Sequence, residues 1–483
     1  MTNSGTQTPA DGGETTTQEP RGSFLSEWVL PIVLGLALGG GGVWVWMEFA
    51  HSKAWKIVLK YDYDDQGDNE EIAKELRSLG AGARGDVVTA FRDVGDDAIE
   101  AKIWVGHQLA GEPWFDTASL KEICKDGKAS AVSRRAAAIA LVDSQHKEVD
   151  TELVLPVFEE WLLDLSAVDH SLVAQRVDHM SRAGMLSSQW EGRIKKALIR
   201  VCDRAARRAA PPKEYADRID DDRAGVILTL QIALPDEDAK KLLWSVAKDE
   251  DDDEGVRINS VRALAEGGVL DADTLADWTA VSKTKLASVR QTVADNLSRA
   301  KLPEFDTVLE PLQYDSHPFV RAGAIDSQTK RRRPTMMARF DEFVEDGEMS
   351  VRFLAMIAAG SFKNFAEGAA QRGAMLCRVV ETSEDREDVQ AAVIALKMIT
   401  DEVYGFQATD VLVHEQVVEE TALKTFLADR AGRKQAADKW RAKLGPGAVW
   451  TDADRRATLE KLLKSADEKT VERARALLTK LAK

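Results

Sequence analysis

The residues best able to ligate a metal or act as nucleophiles are scattered along the chain. Its seven histidines are His51, His107, His146, His170, His179, His317 and His414; no two lie three or four apart, and no HExxH or CxxC occurs. Those spacings are what bring ligands onto one helix face, so no metal or nucleophilic centre is encoded locally. Cys124, Cys202 and Cys377 are far apart, odd in number and flanked by apolar residues. That pattern suits buried reduced thiols rather than a disulfide framework. Asp62, Asp64, Gln66 and Gly67 imitate positions 1, 3, 5 and 6 of a calcium loop, but Ala73 occupies the twelfth place. A bidentate glutamate there sets affinity, so Tyr61–Glu71 reads as an acidic linker and no metal or other cofactor is expected. Two basic clusters remain. Arg331–Arg333 reads as a solvated inter-helix loop, and Arg204, Arg207 and Arg208 lie on a helix ahead of Pro211.

Composition narrows the classes further. The chain has 483 residues and a formal net charge of −16, with 30% charged and 6% aromatic residues. Such an acidic surface is a poor general binder of nucleic acid, and none is expected as a partner. Four of the twelve tryptophans lie near one end, around Val29–Met47, a run of 19 residues without a charge. As a helix at about 1.5 Å per residue it would span about 28 Å, close to the hydrocarbon core of a bilayer. Trp28 stands before the run, while Trp44, Trp46 and Trp55 cluster at its far end, as in an aromatic interface belt. The acidic segment ahead of it and the lack of a small-x-small site argue against a cleaved signal peptide. Gly35 and Gly39 form a GxxxG step, extended by Gly40–Gly42, which would let two membrane helices approach as a homodimer. Arg21 precedes the run, whereas Lys53, Lys56 and Lys60 follow it. By the positive-inside rule the C-terminal body would be cytoplasmic, in a single-pass membrane protein.

Beyond the membrane run the pattern is helical, with no convincing alternating strand. A Val-Arg pair recurs at Val256–Arg257, Val289–Arg290, Val320–Arg321 and Val351–Arg352, at intervals of 33, 31 and 31 residues. Five residues before each valine stands an acid or hydroxyl: Asp251, Thr284, Asp315 and Asp346. A unit of about 31 residues accommodates two antiparallel helices and their turns, and a helix pair that cannot bury its own apolar face must stack on its neighbours. Pro211–Pro212 and Asp220–Asp222 read as breaks between helices, and Asp249–Glu254 as a solvated turn.

The segments DEGVRINSVRALAEGG, SVRQTVADNLSRA, HPFVRAGAIDS and MSVRFLAMIAAGS resemble HEAT repeats of the armadillo type, in particular the short bacterial kind. That resemblance implies that Arg257, Arg290, Arg321 and Arg352 form a structural ladder, with Asp251, Asp315 and Asp346 as partners in neighbouring turns. It is clearest over residues 250–400.

The expected architecture is all-α: a right-handed superhelical solenoid of HEAT-like helix pairs preceded by one transmembrane helix. Residues 1–23 form a disordered polar tail, 24–50 the transmembrane helix, and 51–71 a juxtamembrane helix with an acidic linker. Residues 72–445 form the repeat array and 446–483 its capping helices. The expected function is a non-catalytic, membrane-anchored scaffold with an unidentified protein partner on the array and the lipid bilayer at residues 29–47. The alternatives are a structural subunit of a larger membrane complex or, by analogy with HEAT-like bilin lyases and DNA glycosylases, an enzyme.

Overall fold

The computed structural model describes residues 66–482, apart from 94–101, 104–107, 109–111, 113–116, 146–148, 168, 210–218, 231–235 and 364–367. The apolar run Val29–Met47, its flanking Trp28, Trp44, Trp46 and Trp55, the Gly35–Gly39 step, and Asp62 and Asp64 lie outside the described residues. Within them, no helix is long and apolar enough to cross a membrane.

The chain divides into two compact units at Val157 and Phe158. In the first, α1 (Gln66–Ser78), α2 (Arg84–Asp93), α3 (Thr117–Lys125) and α4 (Ala131–Gln145) precede α5 (Thr151–Leu163), which crosses the division. Residues 136–142 of α4 are all buried, and α3 packs on α4 through Leu120 and Ile123. The acidic stretch expected to be a linker up to Glu71 already belongs to α1 from Gln66 onward. Acidic residues near a helix start meet its free N–H groups favourably, and the apolar Ile72, Ala73 and Leu76 then share a buried face.

The second unit continues with α6 (His170–Arg182), α7 (Ser188–Cys202), α8 (Arg204–Ala209), α9 (Ile219–Thr229), α10 (Glu237–Lys248) and α11 (Glu254–Glu266). Next come α12 (Leu275–Val281), α13 (Ala287–Asn296), α14 (Asp306–Leu312), α15 (Pro318–Lys330), α16 (Phe340–Val344), α17 (Met349–Ser361), α18 (Ala369–Thr382) and α19 (Arg386–Thr400). The helices α6, α9, α11, α13, α15, α17 and α19 form a row in which each touches the next. Their partners α10, α12, α14, α16 and α18 each pack on the helix that follows. This is the stacking that the 31-residue spacing demands, because Val256, Val289, Val320 and Val351 are completely buried between neighbours. Small residues set the approach: a Cβ added at Gly360 in α17 would lie 3.0 Å from Ala395 Cα in α19 and 2.8 Å from Met398 Sδ.

The described residues are all-α except for one two-stranded hairpin, absent from the sequence-based expectation. β1 (Val411–Leu412) pairs antiparallel with β2 (Val417–Val418), and Val411 and Val418 are buried. Its strands are two residues long and its turn lacks the Asn-Gly signal, with Gln416 taking a positive φ of 54° instead. The chain ends in α20 (Glu420–Ala428), α21 (Arg430–Leu444), α22 (Asp452–Leu462) and α23 (Glu468–Leu481). One apolar core runs from Ala322 to Trp450. A separate small one, Leu459, Leu462 and Ala474 with Leu477, Leu478 and Leu481, lies between α22 and α23.

Candidate interaction site

Each ladder arginine stands near the start of a row helix, and the guanidinia of Arg290, Arg321 and Arg352 reach two turns at once. Arg321 donates from Nη1 to the carbonyls of Asp315 and Ser316, at 2.8 and 3.2 Å, in its own turn. Its Nε and Nη2 donate to the Asp346 carboxylate in the next turn, at 3.0 and 2.8 Å. Arg290 repeats this pattern one unit earlier, with the Thr284 and Lys285 carbonyls behind it and both oxygens of Asp315 ahead, at 2.6 and 2.9 Å. Arg352 repeats it one unit later, on the Asp346 and Gly347 carbonyls and on Asp388 and Asp385 at 2.7 and 3.0 Å. Only a planar fork with five donors can satisfy both sets. The −5 residues also close their own turns: Thr284 accepts from the Leu286 N–H, Asp315 from His317 and Asp346 from Glu348.

The N-terminal end of the ladder departs from the expected pattern. Asp251 is exposed, and the carboxylate that receives the preceding arginine is its neighbour Asp252, which takes Arg223 bidentately at 2.8 and 2.9 Å. Asp249–Glu254 is thus a ladder turn, not merely a solvated one. Arg223 belongs to α9, so Asp220–Asp222 open a row helix rather than breaking the chain. Arg257 is fully buried yet meets no carboxylate from the following turn, where Thr284 stands. It donates instead to the Ala247 carbonyl and to Glu250, whose other oxygen accepts from the Lys285 N–H.

Electrostatics follow burial. Burial pushes the Asp315 carboxyl upward, but Arg290 and the His317 N–H more than offset it and hold it below the usual carboxylate range. Asp252 is held down in the same way by Arg223. Deeply buried Asp388 goes the other way: burial raises it, despite Arg352 and Arg473.

The C-terminal pair α22 and α23 does not extend the row beyond α19 as a cap. Its helices lie on α16 and the ladder's turns, 85 to 146 residues upstream. Arg455 in α22 takes both oxygens of Glu345 at 2.6 and 3.0 Å, and Thr458 donates to Asp341 at 2.6 Å. At the start of α23, Asp467 accepts from Arg321 at 2.9 Å. The Thr470 hydroxyl bridges Asp467 and Asp346 and accepts from the Gly347 N–H. Lys469 pairs with Glu348, and Arg473 donates to Asp385 and Asp388 at 3.3 Å. Arg321, one rung of the ladder, is therefore also the clamp for this pair.

The remaining candidates are structural. The Arg331 side chain is almost enclosed and holds the Ala300 and Leu302 carbonyls and Asp306, so Arg331–Arg333 is not a free basic loop. Arg332 takes a positive φ of 54° at the end of α15. Arg207 is fully buried on Asp222 and on the Leu165 and Ala167 carbonyls, and Arg204 bonds Asp249 and the Asp251 carbonyl. His170 Nδ1 lies 2.7 Å from Asp222 Oδ2, with its Nε2 3.1 Å from the Asp164 carbonyl, and the whole cluster is sealed from solvent. Nothing in the sequence pairs His170 with Asp222, because they come from different helices. The three cysteines are free and buried, and burial pushes the Cys124 and Cys377 thiols up to about 12, which removes thiolate character at neutral pH.

No family model matches the chain, and no curated protein matches it. Among solved structures it is similar to the karyopherin Kap121p. A mutant crystal structure aligns at 15% identity and a TM-score of 0.44, over 93% of this chain and 54% of that one. The complex of Kap121p with Pho4p aligns at 14% identity and a TM-score of 0.44, over 92% of this chain and 48% of that one. The complex with the extreme C-terminus of the protein phosphatase Cdc14p aligns at 12% identity and a TM-score of 0.38, over 96% and 58%. This chain thus spans about half the length of those proteins. Its own fold is defined by the stacked row of helix pairs and the ladder that ties their turns.

Proposed function

We propose that the chain is a membrane-anchored helical-repeat scaffold that holds protein partners at the membrane and does no chemistry itself. One observation carries this reading. The turns of the row already hold a helix pair from far along the sequence, by residues that recur with the repeat. A surface that binds α22 and α23 has the geometry and charge to bind helices of another protein. Anchoring rests on Val29–Met47 with its tryptophans, and the lysines after it favour a cytoplasmic body. A tether confines such a surface near membrane partners and raises its effective concentration there.

Proximity labelling in intact cells tests the reading, with the labelling enzyme fused after Lys483 and, separately, before Met1. The expected result is that the Lys483 fusion labels a defined set of cytoplasmic proteins at the membrane. Labelling of extracytoplasmic proteins alone would reverse the topology, and a soluble fusion protein with no enriched neighbour would end the scaffold reading. Self-association through Gly35 and Gly39 is part of the same proposal; Gly39→Ile should abolish it in lipid, and unchanged association would remove the homodimer.

A further inference from the structure

We propose that residues 341–348, from α16 into the turn after it, and residues 383–388, at the start of α19, form a docking site for a basic helix pair of a protein partner, with α22–α23 as its exchangeable resident occupant.

Four independent features separate the α22–α23 pair from the row that holds it. The pair has its own small apolar core, distinct from the one that ends at Trp450. Its apolar face does not pack tightly on the row: Leu477 and Leu481 look across a cavity of about 480 Å³ toward Val344 and Val379. Its attachment is instead ionic, through Arg455, Asp467, Lys469 and Arg473. Finally, the chain that leads to it, Gly445–Trp450, starts at a glycine with φ of 92° and is fixed to the row's core by Ala448 and Trp450. The row and linker therefore keep their packing when the pair leaves.

The site itself specifies what it accepts. Residues 452–481 carry eight Lys and Arg against six Asp and Glu, and they meet Asp341, Glu345, Glu348, Asp385 and Asp388. Acidic turns facing a basic helix pair in an acidic chain are complementary, and such contacts steer association. Gly347 adds a shape requirement. The Thr470 backbone N–H end of α23 lies so close that any Cβ at Gly347 would overlap it. A partner must therefore bring a helix start over Gly347, with an acid at the N-cap, a hydroxyl three residues on and an arginine three further, as Asp467, Thr470 and Arg473 do. Two guanidinium nitrogens at this cavity, Arg378 Nε and Arg473 Nε, are buried with no hydrogen-bond partner among the described residues, so the resident pair leaves the site imperfectly satisfied.

The biological use of this site rests on the scaffold reading, but the exchange is measured on purified full-length protein in detergent and stands or falls separately. The pairs open to solvent, Lys469–Glu348 and Arg473–Asp385, weaken as the Debye length contracts from about 10 Å at 0.1 M salt toward about 3 Å at 1 M, while the buried Arg455–Glu345 and Arg321–Asp467 pairs are screened less. Hydrogen exchange should show the amides of α22 and α23 at least tenfold faster in 0.5 M than in 0.1 M sodium chloride, with α17 and α19 unchanged. Equal protection of all four helices at both salts would overturn the proposal. The second arm uses a labelled synthetic peptide of residues 451–482 as the basic probe. The full chain carrying Arg455→Ala, Asp467→Ala and Arg473→Ala should bind it at least tenfold more tightly than the parent chain does. Adding Gly347→Leu should return binding to the parent level. A probe that binds the opened chain no better, or one that ignores Gly347→Leu, would also overturn it.

Discussion

Arg321 shows how much one side chain can carry here. It satisfies two carbonyls and two carboxylates, Asp346 and Asp467, and all three side chains are almost completely buried. Removing one partner from a buried pair strands the others, at a cost of about 3–5 kcal/mol. Arg321→Ala should therefore lower stability by that amount in urea titration, whereas Arg299→Ala, whose Glu266 pair is exposed, should cost less than about 1 kcal/mol. The Asp315 carboxylate gives a pH-dependent counterpart. Its pKa is lowered in the folded chain, so its stabilisation is present above the unfolded carboxylate value of about 4 and is lost as pH falls through the folded one. Asp315→Asn should cost about 2 kcal/mol at pH 7, the order of hydrogen bonds to a charged group. The gap between variant and parent should close as the pH drops below about 4; a gap that stays constant in acid would mean that the charge contributes nothing. The ladder was legible because its arginines recur with the valines that bury them. The slip from Asp251 to Asp252 was not, because three consecutive aspartates offer equivalent partners and only the path of the turn selects one.

Elements meet where side chains are smallest. Gly360 lets α17 approach α19, with the Ala395 Cα and Met398 Sδ filling the space where a Cβ would go. Gly360→Val must push a backbone rather than a flexible tip, and overpacking of this kind costs about 1–3 kcal/mol. The loss should appear as a lowered urea midpoint with an unchanged slope, since the surface exposed on unfolding is the same. A changed slope would instead mean that α19 and the helices after it had come off the row in the native state. This scale also marks what could be read in advance. Helices bury periodic faces, so their existence follows from local pattern. The placement of α22 and α23 does not: their contacts on the row are polar, specific and 85 to 146 residues away in sequence. The hairpin of β1 and β2 escaped for the opposite reason, being too short for any period to register.

At the scale of the molecule, a row whose members touch only their neighbours unfolds at its weakest junction. The ladder locates that junction. Arg223, Arg290, Arg321 and Arg352 each reach a carboxylate in the following turn, but between α11 and α13 the place is taken by Thr284. Arg257 falls back on the Ala247 carbonyl and on Glu250, so its tie to the following turn is indirect, through the Lys285 N–H on the other Glu250 oxygen. Native-state hydrogen exchange in low urea should then resolve two cooperative blocks, α6–α11 and α13–α19, with different free energies of opening. Thr284→Asp restores the missing partner. The new carboxylate can keep the turn bond from the Leu286 N–H, as Asp315 and Asp346 do from His317 and Glu348, while facing a guanidinium that is already buried. Because the arginine is desolvated in the parent chain, the variant adds the desolvation of one carboxylate only. Charge-assisted bonds of about 1.5–3 kcal/mol exceed that cost by about 1 kcal/mol if the geometry of the other rungs is reproduced. The two exchange blocks should merge, and the lower opening free energy should rise by that amount. Two blocks that persist unchanged in Thr284→Asp would show that α11 and α13 are held by apolar packing alone, and that the ladder aligns the repeats without binding them together.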